Sequence, residues 1–185
     1  MLNDDDGSIR LAVPVGSDDH VRGPDDAPVT LVEYGDFECP YCRKAYPIVR
    51  ELERRYGAQL RVVFRSFPLS VHRFAQHAAE AAEFAADADA FWPMHDGLFD
   101  QHELDIAHLI ARARAVGLDG DALATALSEG IYAGIVADVK EGGERSSIPG
   151  TPAFFLNDVL FEDEPTLENL AEAIDWLLKH RSSQP

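Results

Sequence analysis

The spacing of apolar side chains changes along the chain, and each change marks an element. Val29-Thr30-Leu31-Val32-Glu33-Tyr34-Gly35 is short, apolar and rich in β-branched residues, which predicts a buried strand. Beyond Pro40 the apolar residues recur at helical spacing (Cys42, Ala45, Tyr46, Val49, Leu52, Tyr56), and Gly57 supplies a stop. Leu60 to Phe67 reads as a second strand closed by Pro68, so the segment forms a βαβ unit. Helical patterns then follow one another: His72 to Ala88, a helix opening at Phe91-Trp92-Pro93-Met94-His95, then Ile106–Val116, Asp121–Leu127 and Ile131–Glu144. Strand signals return only at Ala153–Leu156. There Asn157-Asp158 makes a turn and Val159-Leu160-Phe161 pairs back as a hairpin. Leu167, Leu170, Ile174, Leu177 and Leu178 lie at helical spacing and predict a last helix.

The order is β-α-β, a helical block, then β-β-α. This is an α/β chain with a helical insertion at 70–145, between core segments 29–69 and 146–182. Residues 1–28, rich in Asp, Gly and Pro, read as an extended lead-in with little core of its own. A length of 185 residues suits one domain carrying such an insertion.

Charge narrows the partners. With 16 Lys+Arg against 33 Asp+Glu the net charge is −17, and nucleic acid and anionic membrane both require positive surface. Neither is expected as a partner, and a monomer is expected. No run of 18 apolar residues suggests a membrane span. The start, Met1-Leu2-Asn3-Asp4-Asp5-Asp6, is acidic where a secretory leader is basic and then apolar. A cytoplasmic location is expected, or an extracytoplasmic one if a leader has been removed.

The candidate chemistry lies in Cys39-Pro40-Tyr41-Cys42, which contains both cysteines of the chain. At a strand-to-helix junction the first cysteine meets unpaired backbone N–H groups and the helix dipole, which stabilise a thiolate. Pro40 suits the first helical position. Cys42 shares the inner stripe with Tyr46 and Val49, so the expectation is a buried Cys42 beside a solvent-accessible Cys39. An exposed nucleophile and a sheltered resolving thiol are what disulfide exchange requires. A zinc site would need further ligands at suitable spacing, and a structural disulfide closing so short a loop constrains the unfolded chain little. No metal and no organic cofactor are expected.

Glu33 shares its strand face with Val29 and Leu31. It reads either as a buried carboxyl that exchanges a proton with Cys42, with its pKa raised by desolvation, or as a strand-end acid reaching solvent or pairing with Arg61 or Arg65. Ile148-Pro149-Gly150-Thr151-Pro152-Ala153 precedes the late strand and reads as an edge marker or as a cis Thr151–Pro152 bond.

Taken together, these residues resemble the DsbA-like disulfide oxidoreductases of the thioredoxin fold, in particular bacterial members without a leader. The likeness rests on His20-Val-Arg-Gly-Pro24, on Val29 through Cys42, on Phe64-Arg-Ser-Phe-Pro-Leu69, on Phe91-Trp-Pro-Met-His95 and on Gly150-Thr-Pro-Ala-Phe-Phe155, and covers nearly all of residues 20–180. It implies a thioredoxin-like core with an inserted helical subdomain. It also implies Cys39 as nucleophile, Cys42 as resolving thiol, Glu33 as the buried acid and Pro152 as a cis-proline. Thr151 would pair with an extended substrate, and Pro40 and Tyr41 would flank it. The partners implied are protein thiols and disulfides or a small thiol; a non-catalytic peptide-binding module of the same fold is the alternative. The dipeptide Pro40-Tyr41 departs from the Pro-His of the strongly oxidising periplasmic enzyme. The helix N-terminus, with Arg43 and Lys44, is expected to lower the Cys39 pKa against Asp36 and Glu38. The potential should fall between the thioredoxin and strong-oxidant extremes, about −270 and −120 mV.

Overall fold

The computed structural model describes residues 7–180. The acidic stretch Met1–Asp6 and residues 181 and 182 of the expected core lie outside the described residues. Strands β2 (Val29–Gly35) and β3 (Leu60–Ser66) run parallel, with Val29 opposite Leu60 and Gly35 opposite Ser66. Helix α1 (Pro40–Tyr56) joins them. Strand β1 (His20–Arg22) pairs antiparallel with the far side of β3. On the other side β4 (Ala153–Leu156) pairs antiparallel with β2, and β5 (Val159–Leu160) with β4, giving the order β1-β3-β2-β4-β5. The β4–β5 hairpin turns at Asn157 and Asp158, both at positive φ. Asn and Asp tolerate that region better than most residues.

Each sheet face has its own cover. Val29, Leu31, Leu60, Val62, Phe154 and Leu156 face α1 and α7 (Leu167–His180), which contribute Val49, Leu52, Leu170 and Ile174. Val32, Tyr34, Val63 and Phe155 form the opposite face, against Ile9, Leu11, Val15 and Val21 from the N-terminal segment. That segment therefore has more core than its composition suggested. It is tied down by Leu160 N–H donating to the Ile9 carbonyl at 2.8 Å and by Arg65 donating to the carbonyls of Val13 and Pro14. Ile9, Leu11, Val13 and Val15 do alternate, but the acidic and glycine-rich stretches around them mask that period, and β1 is only three residues long.

Helices α2 (Ala75–Ala86), α3 (Phe91–Asp100), α4 (Ile106–Ala115), α5 (Gly120–Glu129) and α6 (Ala133–Arg145) lie between β3 and β4. Asp105 and Asp119 cap α4 and α5 by accepting two backbone N–H groups each. Ile131, expected to open a helix, instead closes the previous one. Gly130 is left-handed, and Ile131 N–H donates to the Ala126 carbonyl. His72 likewise lies outside α2, held in the preceding loop by Asp36. The helical block packs on Phe37, Cys39, Cys42 and Phe64, so the cysteine pair sits where the insertion meets the sheet.

Candidate active site

β2 ends at Gly35, where any side chain would meet the Phe64 ring: a Cβ there would sit 2.4 Å from it. The chain then turns through Asp36, Phe37 and Glu38 into α1, with Cys39 as N-cap and Pro40 as the first helical residue. Cys39 N–H donates to the Asp36 carbonyl at 3.1 Å, and Asp36 N–H donates to Cys42 Sγ at 3.4 Å. Both cysteines are free thiols. Cys42 is fully buried on the inner stripe of α1, as its spacing predicted.

Cys39 corrects the expectation of an accessible nucleophile, for it is only 3% exposed. Helical spacing says which side of α1 a residue takes. It is silent on a segment more than 100 positions away that folds over the helix end. Here Cys39 Sγ donates to the Thr151 carbonyl at 3.4 Å, beside a cis Thr151–Pro152 bond. Thr151 Oγ1 is buried without a partner. Exposed apolar surface next to the motif lies instead on Tyr41, at 66%.

The thiol equilibria are pulled apart. Cys39 is lowered from 9.0 to about 5: a hydrogen bond from the Cys42 thiol contributes most, burial opposes it, and the backbone N–H groups of Cys42 and Tyr41 assist. Cys42 is raised well above 9.0 by burial, by its bond to Cys39 and by the charge of Glu33. The order of causes differs from expectation, since the neighbouring thiol outweighs the helix N–H groups. Arg43 and Lys44 turn elsewhere. Arg43 donates to the carbonyls of Phe99 and Phe37, and Lys44 lies over the Tyr41 ring.

Glu33 is 4% exposed and raised from 4.5 to about 8, by burial first and the Cys39 charge second. Its Oε1 has no hydrogen-bond partner. Neither arginine weighed against it is there: Arg65 binds Asp19, and Arg61 binds Thr30 and the Asp25 carbonyl. The acids expected to oppose the thiolate are occupied. Asp36 Oδ1 accepts Glu38 N–H, and its Oδ2 accepts Leu69 N–H and a 2.7 Å bond from His72 Nδ1. Glu38 accepts Phe74 N–H. Burial works against charge on His72, and Asp36 with the Cys39 and Glu38 charges outweighs it, so its pKa is raised. His72 is a further residue of the site, and a lone histidine ahead of an Ala-rich stretch carries no local signal of that role. Among the described residues no group of three or more His, Cys, Asp and Glu is placed to hold a metal ion.

The geometry has counterparts. Residues 16–176 match the family described as thioredoxin. Among solved structures, BdbD from Bacillus subtilis superposes with a TM-score of 0.83 at 25% identity, covering 93% of this chain and 97% of that one. A thioredoxin-like oxidoreductase from Silicibacter pomeroyi gives 0.78 at 27% identity, over 89% and 94%. The α-DsbA1 of Wolbachia pipientis, at 20% identity and 0.79 over 91% and 94%, shares the fold. Among curated relatives, the Na(+)/H(+) antiporter NhaA 1 of Salinispora arenicola is 47% identical over 94% of this chain. Its namesake in Mycolicibacterium vanbaalenii is 36% identical over 90%. The chain spans about a quarter of the length of these relatives, 27% and 28%, and antiport is said of those whole proteins.

Proposed function

The chain belongs to the thioredoxin family, its structure matches DsbA-like oxidoreductases, and from that premise we propose that it exchanges disulfides through a mixed disulfide on Cys39 that Cys42 resolves. The observation that carries this is the placing of two free thiols on the first turn of α1, Cys39 at its N-cap against the Thr151 carbonyl and Cys42 buried behind it, with Cys39 lowered to about 5 and Cys42 raised. At neutral pH the first is the thiolate that attacks and the second keeps its proton.

In the reducing direction, Cys39 thiolate attacks a substrate disulfide. The substrate S–S bond breaks, a Cys39–substrate disulfide forms, and one substrate thiolate leaves. Cys42 then gives its proton to the Glu33 carboxylate and attacks Cys39 Sγ. The second substrate thiolate leaves, the substrate is reduced and the Cys39–Cys42 pair is oxidised. The oxidising direction is the reverse. Tyr41, exposed two residues from Cys39 on α1, favours an extended, partly apolar protein segment over a bare small thiol. A Cys39 pKa of about 5 lies between thioredoxin at about 7 and DsbA at about 3.5. The couple should therefore be more oxidising than thioredoxin and less so than DsbA.

Insulin reduction tests the reading. Wild type should be active, Cys39→Ser inactive, and Cys42→Ser should accumulate a mixed disulfide on Cys39. A Cys39→Ser chain as active as wild type would refute the proposal. Full peptide binding with no exchange in wild type would favour the binding-module alternative.

A further inference from the structure

The scheme above leaves a proton on Glu33, deep in the protein. Two buried side-chain atoms nearby have no hydrogen-bond partner, Glu33 Oε1 and His95 Nε2. Both residues line one small cavity of about 10 Å³ between β2, β3, α1 and α3. That volume is at the lower bound for a single water. Phe64, Val49, Val62 and the Trp92 ring form its apolar lining. A polar atom stranded in such a place is costly, and one water accepting from or donating to both would satisfy the pair.

The other ring nitrogen of His95 points the opposite way. Nδ1 lies 2.9 Å from Asp96 Oδ1. Asp96 also takes both its oxygens to Arg22 at 2.8 and 2.9 Å, and its side chain is 28% exposed. Burial pushes His95 down to about 4 despite Asp96, so the ring is neutral at pH 7. With Asp96 accepting from Nδ1–H, Nε2 carries the lone pair, which suits receipt of a proton. The charged and titratable groups facing the cavity are Arg22 on β1, Tyr46, Arg50 and Glu53 on α1, and Asp96 beyond the ring. The cations there oppose a long-lived imidazolium, and Asp96 favours a transient one.

We propose that this cavity holds one bridging water and that His95 is a positioning residue for disulfide exchange, relaying the Cys42 proton from Glu33 through that water to Asp96 and solvent. The inference rests on the exchange reading above. In the relay the protonated Glu33 gives its proton to the water, and the water gives one of its own to His95 Nε2. The Nδ1 proton passes to Asp96 Oδ1, which releases it outward. Glu33 is left as carboxylate and His95 as the Nε2–H tautomer. The opposite half-cycle, disulfide to dithiol, returns a proton to Cys42 along the same atoms and restores the starting tautomer.

The test separates the two chemical steps in the whole chain. Attack by Cys39 is timed in the Cys42→Ser background, and internal closure of the mixed disulfide in chains with both cysteines, using glutathione disulfide as probe. His95→Phe fills the cavity and displaces the water; His95→Gln keeps a polar group there but cannot carry a proton. Both should slow closure about 10-fold or more and leave attack within about twofold. The infrared C=O band of the protonated Glu33 carboxyl should move to the frequency of an unbonded acid in His95→Phe and stay near wild type in His95→Gln. Closure at the wild-type rate in both folded variants, while Glu33→Gln slows it, would overturn the relay and leave the exchange reading standing. An inactive wild type, or a fully active Cys39→Ser chain, would instead sink the exchange reading itself.

Discussion

Replacing Glu33 by glutamine should change how stability depends on pH, and its sign follows from the site. Glu33 titrates at 4.5 when unperturbed and at about 8 in the fold. Its stabilising proton is fully in place below pH 4.5, and the associated stability is lost as pH rises towards 8. Each pH unit in that window removes about 1.4 kcal/mol, so by pH 7 the carboxyl has cost the fold roughly 3 kcal/mol. Cys39 runs the other way. Lowered from 9.0 to about 5, it adds stability as pH rises from 5 to 9, at about the same slope. Between pH 5 and 8 the two nearly cancel in wild type. The amide introduced by Glu33→Gln cannot titrate, so in urea unfolding of the dithiol form the variant should gain steadily on wild type from pH 5 to 8 and stand ahead by roughly 3 kcal/mol at pH 7. Taking the difference between the two chains removes Cys39, His72, His95 and Asp96, which titrate in both. Parallel curves across pH 5–8 would refute the idea that Glu33 is held protonated.

Other substitutions probe the surroundings of the same site. His72→Ala removes the partner of Asp36 and a ring whose protonation the Cys39 charge favours; thiolate absorbance should show the Cys39 pKa moving up by about 1 or less, and no movement would exclude His72 from the thiolate's field. Tyr41→Ala, at a site 66% exposed, should leave stability within about 0.5 kcal/mol while slowing reduction of insulin more than of glutathione disulfide. Gly35→Ala puts a Cβ 2.4 Å from the Phe64 ring and should lower stability by about 1–3 kcal/mol in urea unfolding; a neutral result would mean that Phe64 yields easily.

Elements with a long period were legible. The α1 stripe, the paired strands β2 and β3 and the late hairpin all follow from apolar spacing, because burial on one face imposes that spacing. What spacing could not supply is contact across distance. Cys39 is covered by Thr151, far along the chain, and β1 is an edge whose pairing with β3 decides its form. Helical spacing places His72 and His95 in helical stretches and says nothing of their partners. Their roles depend on Asp36 and on the orphaned Glu33 oxygen, which are brought to them by folding. Arg43 misled for a related reason. Its position beside the motif suggested a field on Cys39, yet its guanidinium is spent on the carbonyls of Phe37 and Phe99.

These charges also order the steps of the proposed cycle. The low Cys39 pKa depends first on the Cys42 S–H bond, so the nucleophile is strong only while Cys42 keeps its proton. Premature loss of that proton is opposed twice. Burial raises Cys42, and burial with the Cys39 thiolate second raises Glu33, which as a neutral acid cannot accept. Once Cys39 is bonded to a substrate sulfur its charge is gone. The Cys39 share of the upward push on Glu33 goes with it while the larger share from burial stays, so the carboxylate is easier to form at the stage when Cys42 needs a base. Attack therefore precedes deprotonation of Cys42 because each thiol's charge controls the other's partner. A Glu33→Gln chain should keep the first step and stall at the second, with mixed disulfide accumulating in proportion to the base it has lost.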